Sequence, residues 1–408
     1  MRTVVLCATL AAVILPPNAG AQSLPLTETE ALARLSSASP RVRAIRAAVD
    51  VGRADVLAAG RWPNPRLTFD REAVAGVTEN MVMVTQALPI TGRRGLEVEA
   101  ASALVDASSG RADDALRRAR ADLRLAFGQL VAAQIREREF AASRDRLRGL
   151  ADVLARREAA GDAAGFDHLR AEREVLDVDT DRAAAATERA RAQATLAGFF
   201  VDPIDPATIV AVDASGMPPS LPPVDALVQQ GEAIRGELVA LRKEIEAAHL
   251  SLRAADRRRV PEPEVVAGTK SSTAAGGDTG SVITVHASLP LFDRSRPERA
   301  LAEARARQAE ARVDAFRIAL RTELAALRAA VVERRETADR YRNAAPSGAG
   351  QIERIAQVSY DAGERGILEL LDAYRIGASA RIRQAALDAA VRQAEIELEF
   401  VSGWEIPR

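Results

Sequence analysis

The sequence repeats itself at an interval of about two hundred residues. Three pairs of segments match: Trp62–Asp70 (WPNPRLTFD) with Val260–Gly268 (VPEPEVVAG), Val84–Arg94 (VTQALPITGRR) with Val285–Ser295 (VHASLPLFDRS), and Glu158–Ala171 (EAAGDAAGFDHLRA) with Tyr360–Ala373 (YDAGERGILELLDA). The interval drifts only from 198 residues, between Pro65 and Pro263, to 202, between Gly161 and Gly363. Small loop insertions would produce such a drift. One structural unit therefore occurs twice in this chain.

The duplication predicts the domain organisation. We expect a signal peptide at 1–21, a first repeat at 22–200, a Pro-rich linker at 201–224 and a second repeat at 225–408. Each repeat begins with a helix, predicted at Leu26–Gly60 and at Asp225–Arg258. An X-Pro-X-Pro break, two short strand-like runs, a Leu-Pro exit and two long helices separated by Ala-Gly follow. The predicted fold class is mainly α with a small β part.

The N-terminal segment has the features of an export signal. Arg2 supplies a positive start, Thr3–Leu15 is apolar, and Ala19, Gly20 and Ala21 fit a small-residue cleavage site. The only cysteine, Cys7, lies within this segment, so we expect no disulfide in the mature chain. After residue 21 the sequence has no apolar run long enough for a transmembrane helix, which leaves a soluble protein or one that inserts β-strands.

The strand-like runs alternate between apolar and polar residues. Ile283, Val285 and Ala287 point to one side of a strand, and Thr284 and His286 point to the other. Four such strands per chain are too few for a closed membrane barrel, which needs about eight or more. If the runs cross a membrane, other copies of the chain must complete the barrel. Two copies would supply eight strands and three would supply twelve.

The long helices contain coiled-coil seams. In the first repeat, Leu116, Leu123 and Leu130 recur every seven residues, and Ala119 and Ala126 recur with them. A similar series in the second repeat comprises Val313, Phe316, Leu320, Leu327 and Val331. The first long helix, from Gly95 to Ala160, would be about 100 Å long at 1.5 Å per residue. That length exceeds what a globular core requires.

Composition excludes several functional classes. The net charge of −1 lacks the basic excess typical of nucleic-acid binding, so we expect no nucleic-acid partner. The sequence has no Gly-rich phosphate loop, HExxH or GxSxG motif, which argues against an enzyme and against a cofactor. His168, His249 and His286 are isolated from one another, so no metal site is predicted.

The order of these motifs, twice over, resembles the TolC-type outer-membrane efflux proteins across the whole mature chain. This resemblance implies a homotrimer in which four strands per chain form a twelve-stranded transmembrane β-barrel and the long helices form a periplasmic tunnel. It also implies outer-membrane lipid around the barrel, an outer-membrane location in a Gram-negative bacterium, and a passive exit duct. Such ducts dock on a periplasmic adaptor (membrane fusion) protein and an inner-membrane pump, here of the RND type.

The resemblance assigns roles to residues near the two Ala-Gly motifs. Gly161 and Gly363 would be hairpin tips at the periplasmic entrance. Glu369 and Asp372 match an acidic ring around that entrance, and they lie three residues apart on one helix face. Asp167, Tyr360 and Arg365 match a latch that holds the entrance shut. Such a ring would repel anions and attract cations.

Three further expectations concern cargo, identity and helix continuity. The phrase LPITGRRG at Leu88–Gly95 resembles the heavy-metal (cobalt–zinc–cadmium and copper/silver) branch of the family, which favours metal cations as cargo. The alternative is a periplasmic coiled-coil adaptor or scaffold protein, which would have no need for two strand pairs.

Finally, Asn343–Gly350 (NAAPSGAG) is expected to interrupt the second repeat's long helix at Pro346.

Overall fold

A computed structural model describes residues 23–161, 165–212, 220–292 and 294–405. The predicted signal peptide lies outside these residues. The described chain is mainly helical with a small β part, as predicted. Among the described residues, no helix combines the length and the hydropathy that a transmembrane span requires.

The first repeat contains two short helices where one was predicted. Its elements are β1 (Leu24–Leu26), α1 (Glu28–Ala33), α2 (Pro40–Ala59), β2 (Arg66–Val74), β3 (Val77–Ala87), α3 (Arg93–Ala159) and α4 (Gly165–Ala197). The single helix predicted at Leu26–Gly60 is therefore wrong. Thr27 and Glu30 form a capping box that begins α1, and Pro40 begins α2, because proline suits the first helical turn.

The second repeat follows the same order. Its elements, with the short strand that precedes it, are β4 (Ile209–Ala211), α5 (Val224–Ile234), α6 (Gly236–Arg257), β5 (Pro263–Ser272), β6 (Asp278–Ala287), α7 (Arg296–Asp361) and α8 (Ile367–Ser402). The helix predicted at Asp225–Arg258 is likewise divided in two, because Arg235 adopts an extended backbone between α5 and α6. Unexpectedly, β4 pairs in parallel with β1.

The remaining four strands form one antiparallel sheet in the order β2-β3-β5-β6. The two hairpins meet through β3 and β5, whose paired residues run from Glu79 opposite Ser272 to Ala87 opposite Glu264. The outer strands β2 and β6 each have one neighbour among the described strands. Large apolar side chains of these outer strands, such as Phe69 and Ile283, are exposed in the single chain.

Two long helical hairpins, α3–α4 and α7–α8, extend away from the sheet. The predicted seam of α3 is confirmed, since Ala119, Leu123, Ala126 and Leu130 are buried. At 1.5 Å per residue the 67 residues of α3 span about 100 Å. This length places the sheet and the far end of the hairpin at opposite ends of the molecule.

The interruption predicted at Asn343–Gly350 is wrong, because α7 continues through this segment as one helix. Proline removes only one backbone donor. The Ser347 hydroxyl lies 3.5 Å from the carbonyl oxygens of both Asn343 and Ala344. Ala338 and Ala349 are buried on either side of the proline, so packing holds the helix together where local propensity would end it.

Candidate functional site

Both Ala-Gly motifs end a long helix in the same way. Gly161 follows α3 with φ = 79°, and Gly363 follows α7 with φ = 76°. The Gly363 N–H donates to the Tyr360 carbonyl at 3.0 Å, and the Glu364 N–H donates to the Ser359 carbonyl at 2.8 Å. These two bonds form a Schellman cap, which requires a left-handed residue that glycine adopts without strain. The repeated motif is thus a repeated helix stop.

The two acidic residues predicted for the entrance lie on the exposed face of α8. Glu369 stands in the first turn of this helix and Asp372 one turn further, and both are exposed. Between them, Leu370 and Leu371 are buried against the two hairpins. The negative charge of Glu369 suits the positive end of the helix dipole. The apolar stripe orients the helix so that both carboxylates face away from the protomer core.

The predicted latch residues are only partly brought together. The Arg157 guanidinium lies 6.0 Å from the centre of the Tyr360 ring. Burial raises the pKa of Tyr360; the Arg157 charge opposes the rise and the nearby Asp167 carboxylate adds to it. Tyr360 thus lies between charged groups of the first hairpin. Arg365 is exposed, and no other described residue forms an ion pair with it.

Stronger links between the hairpins lie about three turns from the tips, at residues that were not predicted from the sequence. Glu174 of α4 is buried and binds Arg375 of α8 through both carboxylate oxygens, at 2.8 and 2.9 Å. These residues are 201 positions apart, close to the interval of 202 at the tips, so they lie at nearly the same distance from the two tips. The signal available in the sequence was opposite charge at the repeat interval.

A second cluster of charges joins three of the long helices. Glu353 of α7 accepts from Arg146 of α3 at 3.4 Å and from Arg381 of α8 at 3.3 Å. Its carboxylate lies over Gly377, where any β-carbon would collide with it. Ion pairs with this degree of burial and several partners restrain helices more than exposed pairs do.

An open groove of about 560 Å³ separates α4 from α8 beside these links. Its α4 wall carries the acidic side chains of Asp177 and Asp181. Its α8 wall carries Tyr374 and Arg383. The groove is accessible from outside the protomer and mixes apolar surface with charge, which is the character of a protein-binding surface.

The helix α7 presents an exposed seam whose counterpart in α3 is buried. In α3, Ala100, Ala103, Ala107 and Gly110 are buried. The positions 201 residues later are Leu301, Ala304, Gln308 and Ala311, and all four are exposed. The exposed series continues in coiled-coil spacing through Ala315, Ile318, Thr322, Ala325 and Ala329. An exposed heptad seam of this length is rare on a monomer and indicates an unfilled packing site.

The partner of the buried α3 face is α6, the second repeat's equivalent of α2. Gly110 and Gly236 allow the two backbones to touch, since a β-carbon on Gly110 would lie 2.7 Å from the Gly236 carbonyl oxygen. Asp114 caps α6 by accepting from the Glu237 N–H at 2.9 Å, and Lys243 pairs with Asp106 at 3.2 Å. Helix α6 packs on α7 as well, and so joins both hairpins.

In contrast, α2 packs along α3 without any extended contact to α7 among the described residues. Its exposed face holds Ala44, Val51, Ala54 and Ala58. When the starts of α2 and α6 are aligned, these positions match four α6 residues that are all buried: Ala240, Ala247, Leu250 and Ala254. The chain makes the contact between α6 and α3 internally. The exposed α2 face is equivalent to the α6 side of that contact, and the exposed α7 seam is equivalent to the α3 side.

Metal ligation has no candidate site in the part of the chain that the structure describes, where no three His, Cys, Asp or Glu side chains converge. His168 is engaged at the first tip instead. Its Nδ1 lies 2.8 Å from Glu158 and its Nε2 lies 3.3 Å from Glu172. The imidazole thus bridges the two arms of the first hairpin.

The fold and these surfaces define a class of proteins, in which duplicated helical hairpins are attached to a four-stranded sheet. Residues 227–403 match the Outer membrane efflux protein family. This match and the relatives described below confirm the predicted resemblance to TolC-type proteins. The family consists of outer-membrane efflux channels, so the predictions of an outer-membrane location in a Gram-negative bacterium and of no enzymatic activity are also confirmed.

Individual relatives support the same assignment. The chain is 25% identical over 382 residues to the cobalt-zinc-cadmium resistance protein CzcC of Cupriavidus metallidurans, across 93% of this chain and 90% of that protein. Its fold matches a membrane protein from Pseudomonas aeruginosa with a TM-score of 0.76 at 19% identity, across 92% and 93% of the two chains. The match to CusC has a TM-score of 0.72 at 15% identity, across 92% and 91%.

Proposed function

We propose that this protein is the outer-membrane exit duct of a tripartite efflux system. It conducts substrate passively from a periplasmic adaptor and an inner-membrane pump to the exterior. The proposed duct is a homotrimer, with a twelve-stranded barrel in the outer membrane and a helical tunnel in the periplasm. The two repeats, 22–200 and 225–408, contribute equally to both parts, and the segment 201–224 connects them.

The observation that carries this proposal is the pair of unpaired faces on α2 and α7. The chain packs α6 of the second repeat on α3 of the first. Repetition of that contact between copies would seat α2 of one copy on the α7 seam of the next. The contact joins two different surfaces, and such heterologous contacts generate closed rings when the rotation closes. The small residues of both faces, such as Ala44 and Ala311, permit the close approach that Gly110 and Gly236 make within the chain.

The open edges of the sheet support the same assembly. Strand β6 of one copy would pair with β2 of the next, and each copy would add four strands to a continuous sheet. Exposed edge strands invite such pairing, and closure removes the edges. The exposed apolar side chains Leu67, Phe69, Ile283 and Val285 would then face lipid.

The tips would form the periplasmic entrance of the duct. Three copies of Glu369 and Asp372 would place six carboxylates around the opening, and Asp167, Tyr360 and Arg365 would latch adjacent hairpins. Replacement of Glu369 and Asp372 with Ala should reduce cation selectivity in planar bilayers and weaken block by multivalent cations. An unchanged selectivity and block would exclude the ring. If the latch exists, Arg365→Ser should raise conductance.

The proposed cargo is heavy-metal cations. The support is the similarity to a cobalt-zinc-cadmium resistance protein along nearly the whole chain, together with the acidic residues of the tips. The adaptor would dock on the helical surface near the entrance, where the groove between α4 and α8 offers mixed apolar and charged walls. A pump of the RND type would supply the energy.

Membrane fractionation with an unboiled gel tests the duct against the adaptor or scaffold alternative. A duct should appear in the outer-membrane fraction as a trimer that dissociates on heating. A soluble periplasmic monomer would exclude the duct. Deletion of the gene should raise the sensitivity of the host to cobalt, zinc or cadmium, and unchanged sensitivity to all three would exclude metal cations as the cargo.

A further inference from the structure

The four junctions between the helices and the sheet differ in charge from the rest of the chain. They comprise the segments 61–66, 88–97, 257–264 and 287–299, which together hold ten arginines and five acidic residues. The whole chain, in contrast, has a net charge of −1. The basic charge is therefore concentrated at the one level where the strands end.

Hydrogen bonds hold these junctions side by side. The Thr91 hydroxyl donates to Glu262 at 2.7 Å, and Arg93 binds the same carboxylate at 3.1 Å. Arg258 binds Glu298 at 2.7 Å, and Arg299 binds Asp256. These contacts occupy the carboxylates of Glu262, Glu298 and Asp256. Seven junction arginines form no ion pair with any other described residue: Arg61, Arg66, Arg94, Arg257, Arg259, Arg294 and Arg296.

Several of the junction arginines occupy unfavourable places for the helices themselves. Arg93 and Arg94 lie in the first turn of α3, which has no acidic residue. Arg296 is the first residue of α7. A cation at a helix N-terminus opposes the helix dipole. Such a departure from local preference is expected where a residue serves a function outside the fold.

Exposed apolar side chains accompany the arginines. Phe292 is 99% exposed and Ile90 is 70% exposed, and Leu291 and Trp62 are also largely exposed. Arg94 stacks on the Trp62 ring, with its guanidinium carbon 5.0 Å from the ring centre. Aromatic and aliphatic groups mixed with basic ones suit the boundary between acyl chains and headgroups of a bilayer.

We propose that this junction belt, defined as the four segments above, binds the phosphate groups of the phospholipid leaflet next to the helical part of the molecule. The inference rests on the proposed function, because it requires the sheet to lie in the membrane. Guanidinium groups bind phosphate oxygens in a bidentate manner. The belt thereby sets the depth at which the sheet sits in the bilayer.

The test compares two triple variants of the full-length protein. The belt variant carries Arg61→Gln, Arg259→Gln and Arg296→Gln, which removes one unpaired arginine from each of three junctions. The control variant carries Arg120→Gln, Arg138→Gln and Arg354→Gln, exposed arginines of the long helices. Each protein is reconstituted in nanodiscs of phosphatidylcholine with a minor fraction of phosphatidylglycerol. Native mass spectrometry then measures the lipids that remain bound.

Wild type and control should retain phosphatidylglycerol with an enrichment of about fivefold or more over the bulk mixture, and the belt variant should approach no enrichment. The belt variant should keep its melting temperature, because removal of Arg296 relieves the helix N-terminus. Equal enrichment in the two variants, or none in the wild type, would overturn the belt while the duct stands. Failure of the wild type to enter nanodiscs would overturn both proposals.

Discussion

The helices α2 and α6 are equivalent parts of the two repeats, yet they have different partners. Helix α6 packs on α7 of its own repeat and on α3 of the other, whereas α2 packs along α3 and leaves its outer face exposed. The sheet has the same asymmetry, because among the described strands β3 and β5 have two neighbours and β2 and β6 have one. The chain therefore satisfies internally half of the contacts that its repeat can make. In the proposed assembly, another copy supplies the other half.

The largest expected effect follows from charge placed in the α7 seam. The double variant Ala304→Glu, Ala311→Glu should abolish the trimer, because each copy would bury unpaired carboxylates at a loss of about 3 kcal/mol or more. Native gels and light scattering would measure the loss.

Two exposed alanines of the same helix that lie off the seam provide the matched control. Ala319→Glu with Ala326→Glu adds the same charge, and the trimer should persist. If the seam variant forms trimers as well as this control does, the α7 seam is not a subunit contact.

The contact between α6 and α3 within one chain predicts a smaller effect. Gly236→Ala drives a β-carbon into the Gly110 backbone where α6 crosses α3, so it should lower the stability by about 1–3 kcal/mol. Gly149→Ala, within the last third of α3 and with open space around it, should instead raise the stability by about 0.4–1 kcal/mol. Urea denaturation of the purified protein would measure both. If the two variants change the stability equally, the crossing of α3 and α6 tolerates a side chain at Gly236.

The smallest effect concerns Asp114, which joins α3 to the start of α6. Burial alone would raise the pKa of this carboxyl, but the backbone N–H groups of Gly236 and Glu237, with Arg235 and Arg117, hold it below its usual value. A lowered folded-state pKa contributes stability that is present above the unfolded value, about 3.9, and is lost as the pH falls through the folded value.

Asp114→Asn should therefore reduce stability by about 1–2 kcal/mol at neutral pH, and the difference from wild type should begin to shrink as the pH falls below about 4. Melting temperatures measured from pH 7 to pH 3 would follow this convergence. If the difference in melting temperature stays constant across that range, the ionisation of Asp114 does not contribute to stability.

The sequence could predict those features that depend on local pattern. The repeat interval identified the two hairpins, the heptads identified the buried face of α3, and Gly161 and Gly363 identified the helix stops. The divided first helices were missed, because capping at Thr27 and the extended backbone at Arg235 act over one or two residues within a helical pattern. The helix through Pro346 was missed because packing overrides propensity there.

The tips show a similar limit. The sequence placed Glu369, Asp372 and Tyr360 near the entrance through family resemblance, and the structure places Tyr360 beside Arg157 and Asp167. The link between Glu174 and Arg375 was not predicted, because its partners lie on different hairpins. Charge patterns along one helix identify neighbours three or four residues apart but not partners two hundred residues away.

A disulfide between copies tests the central claim most directly. Ala240 of α6 packs at Gly110 of α3, so the equivalent pair between copies is Ala44 of α2 with Ala311 of α7. The sequence has one native cysteine, Cys7, within the predicted signal peptide, so the wild type provides the background for Ala44→Cys with Ala311→Cys. Disulfides require α-carbons within about 7 Å. A covalent three-chain species is expected on a non-reducing gel for this variant and should be absent for Ala44→Cys with Ala319→Cys. Monomers alone from both variants would contradict this expectation.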